Sequence, residues 1–249
     1  MSLELLDVEF RYSHHGPMIL NGLSLEFTAP ATALLGRNGA GKSTILSLLS
    51  TTQHPNSGSI RLDGAPVDHA SIRDYRKKVA WLPQNIQAIP GFTTRESVIY
   101  AGWLGGLSTA QANSDVDSVL EQAGLSQQSA ERATGLSGGQ LRRLGIAQAL
   151  IRDVSWLLLD EPFAGLDPVE RLSLQRLLQR LAQHVHMIVS THQTGDLMDL
   201  FDTIVVIDHG DAIWWGTPEE FFSLVPKEKA QAQGTDIGTA AFASLVDRK

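Results

Sequence analysis

The chain of 249 residues contains no cysteine. That absence excludes disulfides, thiol catalysis and thiolate–zinc sites, and it is compatible with a reducing compartment. No apolar run approaches the ~20 residues that a bilayer-spanning helix needs. The opening stretch, MSLELLDVEF, alternates and carries acids, unlike a secretory signal. Positive charge is also in short supply, with 20 Lys and Arg against 27 Asp and Glu and a formal net charge of −7. A protein that coats duplex nucleic acid draws its affinity from a basic surface, so this balance argues against that class. What remains is an ordinary globular composition, 43% hydrophobic and 19% charged, long enough to bury a substantial core. The expectation is a cytosolic chain whose membrane role, if any, comes through a partner.

Along the chain, Leu6, Val8, Phe10 and Tyr12 alternate with Asp7, Glu9 and Arg11, the period of a half-buried strand. TALL, GSIRLDG and KVAWLPQ read as further strands, the last stopped by proline, with a short helix from Ser43 to Leu49. From roughly Thr94 to Ala149 helical segments dominate, among them TRESVIYAGWLGGL and TAQANSDVDSVLEQAGL, the latter ended by a glycine stop. Short buried strands then return as WLLLD, MIVST and TIVVID, the first two separated by an amphipathic helix from about Pro168 to Ala182. Strands alternating with helices imply an α/β fold with a mainly parallel sheet, and the middle helices imply an inserted subdomain. Past Pro218 the sequence predicts a short helix, EEFFSLV, and a polar tail from about Lys227.

Two motifs carry chemistry. Residues 36 to 43, GRNGAGKS, fit the spacing of a phosphate-binding loop between a strand and a helix. There the backbone of Gly36, Arg37, Asn38, Gly39, Ala40 and Gly41 can curl its N–H groups around a polyphosphate. Lys42 can reach the terminal phosphates, the Ser43 hydroxyl can ligate Mg²⁺, and Thr44 beside it is a further cofactor-binding candidate. LLLDEP, residues 157 to 162, puts Asp160 at the C-terminal end of a buried strand, where ligands collect in open parallel sheets. Asp160 can hold the water shell of Mg²⁺, and Glu161, facing another way, can act as general base on an attacking water. Together these predict a nucleoside triphosphatase.

LSGGQ, residues 136 to 140, precedes the helix LRRLGIAQALI. Standing between the phosphate loop and LLLDEP, it makes residues 1 to about 224 resemble the ATP-binding cassette (ABC) family. The resemblance implies a P-loop NTPase core with a mainly parallel sheet, an N-terminal antiparallel β subdomain and an inserted α-helical signature subdomain. In that frame residues 1–224 form one cassette, with the core over 1–84 and 150–224, the helical subdomain over about 85–149 and a tail over 225–249. It further implies a head-to-tail dimer with a second cassette, another copy or a close paralogue, around two Mg-ATP, in which Ser137, Gly138, Gly139 and Gln140 of one chain close on the terminal phosphate held by Lys42 of the other. Residue by residue, Gln84 matches the glutamine that senses Mg²⁺ and water, and His192 the histidine that orients water on the terminal phosphate. Asp167 matches the loop that crosses the dimer interface, although Ala164 and Gly165 stand where serine and alanine are commoner and a hydroxyl is lost. Tyr12 has two readings, stacking on adenine or continuing the inward face of the first strand.

The resemblance implies ATP hydrolysis coupled to transport, with a separate permease as partner and a location on the inner face of the cell membrane. NIQAIPGFTTRESVIYAGWLGGL, with Ile86, Ile89, Phe92, Tyr100 and Trp103, is expected to line the groove that receives the permease, some of these residues serving as subdomain core. A soluble ABC ATPase acting on nucleic acid or ribosomes is the alternative. Against it stand the single cassette, the absence of cysteine for zinc, and the 95 positions from Lys42 to Ser137, too few for a long coiled coil. No nucleic-acid partner is expected. TTRESVIYAGWLGGL, LRRLGIAQALI and DEPFAGLDPVERL are similar to bacterial exporter cassettes, so export is the expected direction, with an importer cassette as the other possibility.

Overall fold

The computed structural model describes residues 1–195, 197–226 and 235–247. The chain divides into two units, Met1–Ile72 with Met187–Lys249, and Arg73–His186. Elements are numbered in chain order.

The first unit holds an antiparallel sheet of β1 (Leu3–Phe10), β2 (Leu20–Phe27), β4 (Ser57–Leu62) and β5 (Ala65–Pro66), in the order β2-β1-β4-β5. The expected alternation from Leu6 to Tyr12 is not what is built. Leu3, Leu5, Val8 and Phe10 are buried, while Leu6 is 38% exposed and Tyr12, beyond the strand end, is 62% exposed. The cause is a bulge at Asp7, which takes φ 49° and shifts the register against β2 between Leu5 and Val8. An extra residue re-aims every side chain that follows it. Ser24 Oγ accepts the Asp7 N–H at 2.9 Å and pins the bulge. Gly58 on β4 lies so close that a Cβ would be 2.3 Å from the Asp7 carbonyl oxygen.

The same unit holds β3 (Ala31–Leu35), β8 (His186–Thr191), β9 (Thr203–Asp208) and β10 (Asp211–Gly216), in the order β10-β9-β3-β8. β3 pairs in parallel with β8 and β9, and β10 turns back antiparallel on β9. β3 is buried at every position, Thr32 included, as suits a largely apolar central strand. α1 (Lys42–Leu49) follows β3 through the glycine loop, while α7 (Leu197–Leu200) and α8 (Pro218–Ser223) come later. The polar tail expected from Lys227 falls partly on residues 227–234, outside those described. Beyond them lies α9 (Ile237–Val246), a helix the sequence reading does not anticipate. Asp236 caps it and also accepts a hydrogen bond from Thr194 Oγ1 at 3.2 Å, and Gly238 sits where a Cβ would be 2.5 Å from Thr194 Cβ.

The second unit begins with α2 (Ile72–Lys78) and a parallel strand pair, β6 (Val79–Leu82) with β7 (Trp156–Asp160). Between those strands run α3 (Thr94–Leu104), α4 (Thr109–Gln122) and α5 (Gly138–Leu150), and α6 (Pro168–Leu181) follows β7. Thr93 and Ser108 start α3 and α4 with capping boxes, and Gly124 at φ 68° follows the end of α4. The three helices share a core that includes Val98, Val116, Leu120, Leu125, Leu144 and Ile151. Each such side chain, fully buried, contributes about 1.5–3 kcal/mol relative to exposure. Gly145 lets α5 approach β6, since a Cβ there would lie 2.3 Å from Leu82 Cδ1.

Candidate functional site

In the first unit the loop from Gly36 to Gly41 leaves the C-terminal end of β3 and enters α1. Gly36 donates its N–H to the Thr191 carbonyl at 3.2 Å, which ties the loop to the end of β8 one residue before His192. On its other side the loop is held by the β9–β10 turn, where the Gly210 N–H donates to the Ala40 carbonyl at 2.9 Å. Gly39 and Gly41 take φ 81° and 106°, a region costly for other residues. Lys42 is only 5% exposed, and its Nζ donates to the carbonyls of Gly36 at 2.7 Å and Arg37 at 3.1 Å. Its ammonium therefore lies inside the curl. The side chains of Arg37, Asn38 and Ser43 are exposed around it.

α1 has no side-chain cap, whereas α3, α4, α5, α6, α8 and α9 are each capped by a Thr, Ser or Asp. An uncapped helix start beside a buried ammonium and a glycine curl fits a polyphosphate, whose oxygens accept from both. Tyr12 donates to or accepts from Thr44 Oγ1 at 2.9 Å, and its ring meets Phe10 edge-on at 4.9 Å. Its exposed ring stands beside the first turn of α1, so the strand-interior reading of Tyr12 is set aside. His192 is exposed just past β8.

In the second unit Asp160 ends β7 with 6% exposure. Glu161 follows with φ 46°, a left-handed conformation that is uncommon and strained for a non-glycine residue. The carbonyl of Glu161 accepts the Ala164 N–H at 3.1 Å and closes the turn. Gly165, where alanine is commoner, takes φ 73°, so the glycine serves the backbone turn. Asp167 caps α6, its Oδ1 accepting the N–H groups of Val169 and Glu170 at 2.8 Å.

Ser137 caps α5. Its Oγ accepts the Gln140 N–H at 3.2 Å, while Gln140 Oε1 accepts the Ser137 N–H at 2.9 Å. Gln140 thus serves the helix start directly, and Gly138 and Gly139 form its first turn. Two residues the sequence does not single out join this region. Arg142 on α5 donates to the carbonyls of Gln84 at 2.6 Å and Ala164 at 2.9 Å, linking the segment after β6 to the turn after Glu161. Burial lowers the Arg142 pKa from its ordinary value. Glu170 on α6 accepts the Ser137 hydroxyl at 2.9 Å. A basic helix residue reads from sequence as a solvated face, and only tertiary geometry shows what Arg142 reaches. Gln84 is exposed and lines, with Ile86, Gly138, Leu141 and Arg142, a recess of about 200 Å³.

No group of three or more His, Cys, Asp or Glu able to hold a metal occurs among the described residues. Ser43, Gln84 and Asp160 offer a hydroxyl, an amide and one carboxylate. Each is an oxygen donor of the kind Mg²⁺ takes.

The sequence profile of the ABC transporter family matches residues 20–164. That span includes the phosphate loop, Gln84, LSGGQ, Asp160 and Glu161, and it stops short of His192. Nod factor export ATP-binding protein I of Burkholderia lata is 38% identical over 218 residues, covering 87% of this chain and 71% of that protein. The ABC transporter ATP-binding protein YxlF of Bacillus subtilis is 35% identical over 207 residues, 80% of this chain and 68% of that one. Among solved structures, cbiO1 of Clostridium perfringens, part of the ABC transporter complex cbiONQ, is similar with a TM-score of 0.79 and 26% identity, over 97% of this chain and 98% of that chain.

Proposed function

Since this chain belongs to the ABC transporter family as an ATP-binding subunit, we propose that two copies close head to tail around two Mg-ATP and that hydrolysis drives a separate membrane permease in the export direction. The observation that carries the reading is the buried Lys42 ammonium, held in a glycine curl at the uncapped start of α1. It is a site for the end of a triphosphate. Each chain has one such loop and one LSGGQ, so two chains complete two sites.

In this mechanism water attacks the γ-phosphate in line, and positioning and electrostatics do nearly all the work. Lys42, His192 and Ser137 of the second copy stabilise the charge that develops on the phosphate oxygens. Glu161 accepts the proton of the attacking water, its strained backbone holding the carboxylate in place. Tyr12 stacks on adenine. Ser43, Gln84 and Asp160 would hold Mg²⁺, which would supply charge neutralisation on the phosphates. Asp167 serves the crossing between copies as well as capping α6.

The cassette spans 1–224 in this reading, and its helical part, about 85–149, receives the permease. Support comes from a recess of about 240 Å³ walled by Trp81, Ile86, Gln148 and Arg152 and floored by Gly145. Phe92, Tyr100 and Trp103 form a run of ring contacts at 5.4 and 5.9 Å that ends on Trp103, 56% exposed, and Leu104, 64% exposed. Exposed aromatics in a row suit a partner surface. Export is supported by the 38% identity to a Nod factor export protein.

The test is Glu161→Gln. ATP binding is expected to persist while phosphate release falls at least about a hundredfold, the range of a lost general base. Wild-type turnover in that variant would remove Glu161 from the role. Co-purification with a polytopic membrane protein, rather than with nucleic acid, is the matching test of the partner.

A further inference from the structure

The start of α5 is already occupied by a carboxylate from the same chain. Ser137 Oγ donates to Glu170 Oε1 at 2.9 Å. A Cβ on Gly139 would lie 2.8 Å from the Glu170 carboxyl carbon and 2.9 Å from Oε1, so the carboxylate rests against the glycine turn itself. Its place is enforced from behind: Asp167 caps α6 through the Glu170 N–H at 2.8 Å, and Pro168 opens the helix. Glu170 is also within electrostatic reach of Arg143, the next basic residue on α5.

We propose that Glu170 is a built-in competitor for the terminal phosphate of ATP and sets the ATP concentration at which two chains close. The inference rests on the reading above, that Ser137 of one copy meets the γ-phosphate held by another. A serine hydroxyl has a single proton to donate. While that proton is directed to Glu170, it cannot serve a phosphate oxygen. The helix start, favourable to negative charge, is likewise shared by the carboxylate. Closure therefore requires Ser137 to exchange one anion for another, and the incoming triphosphate must also approach the Glu170 charge. A half-site preloaded in this way stays open at low ATP and closes only when the nucleotide outcompetes the side chain.

The experiment follows ATP-driven dimerisation by light scattering in the Glu161→Gln protein, with and without Glu170→Gln. Removing the charge is expected to lower the ATP midpoint about fivefold, the size of one charge pair at contact in a water-like dielectric. Glu170→Ala should move it in the same direction. ADP, which lacks the terminal phosphate, should bind equally well to both proteins. If Glu161→Gln dimerises but Glu170→Gln leaves the midpoint unchanged or raises it, the inference is overturned while the dimer stands. An equal shift for ADP would overturn it too. Failure of Glu161→Gln to dimerise with ATP at any concentration would overturn the dimer itself and this inference with it.

Discussion

Gly36 has no room for even a methyl group, because a Cβ would lie 2.4 Å from the Ile207 carbonyl oxygen at the end of β9. Backbone cannot swing aside as a side chain can, so Gly36→Ala must push the loop off its seat. The expected outcome is a loss of about 1–3 kcal/mol of stability, typical of overpacking, together with loss of ATP binding. Thermal unfolding and a nucleotide titration read the two effects separately. Gly39 makes a different demand: a Cβ there would meet nothing within 4 Å, and only its positive φ argues for glycine. The motif spelling treats these glycines alike, and their surroundings do not. At this scale the sequence singles out Lys42, Ser43, Asp160 and Glu161 as candidates by spacing alone, but it is silent on Arg142 and Glu170. Their partners are contributed by elements distant in the chain.

Asp167 shows how one side chain governs an element. It satisfies two N–H groups at the start of α6, and replacing such a cap by alanine costs about 1 kcal/mol. Asp167→Ala is therefore expected to lower the unfolding free energy by that amount in a denaturant titration, whatever its role between copies. Elements with strong local signals were legible. β3 and β7 are buried throughout and largely apolar, and α3 and α4 begin with Thr and Ser caps. Those without such signals were not. β2 carries Gly22 at φ 71°, which shifts its register and breaks the alternation that marks a strand. β10 opens straight out of a turn, and its successive Trp214 and Trp215 obscure its period. α2 buries only Tyr75, and α9 is built largely of small residues beyond a polar stretch. The bulge at Asp7 illustrates the same limit, since a one-residue insertion is invisible until the partner strand is known.

For the whole molecule, no helix among the described residues is long and apolar enough to cross a membrane. In the transporter reading proposed above, moving a substrate across one is the work of the cassettes together with a permease. If each site needs two chains, hydrolysis per chain should rise with protein concentration until the dimer saturates, so that the initial rate grows nearly as the square of concentration when dilute. A rate strictly proportional to concentration down to the nanomolar range would contradict that. The clasp between Thr194 and Asp236 bears on the same assembly. It stitches the start of α9 to the segment just beyond His192, only a few residues from the seat of Gly36 on Thr191. Peeling α9 away, whether by a protease nick before Asp236 or by a bulky appendage, would loosen that stretch without touching any motif.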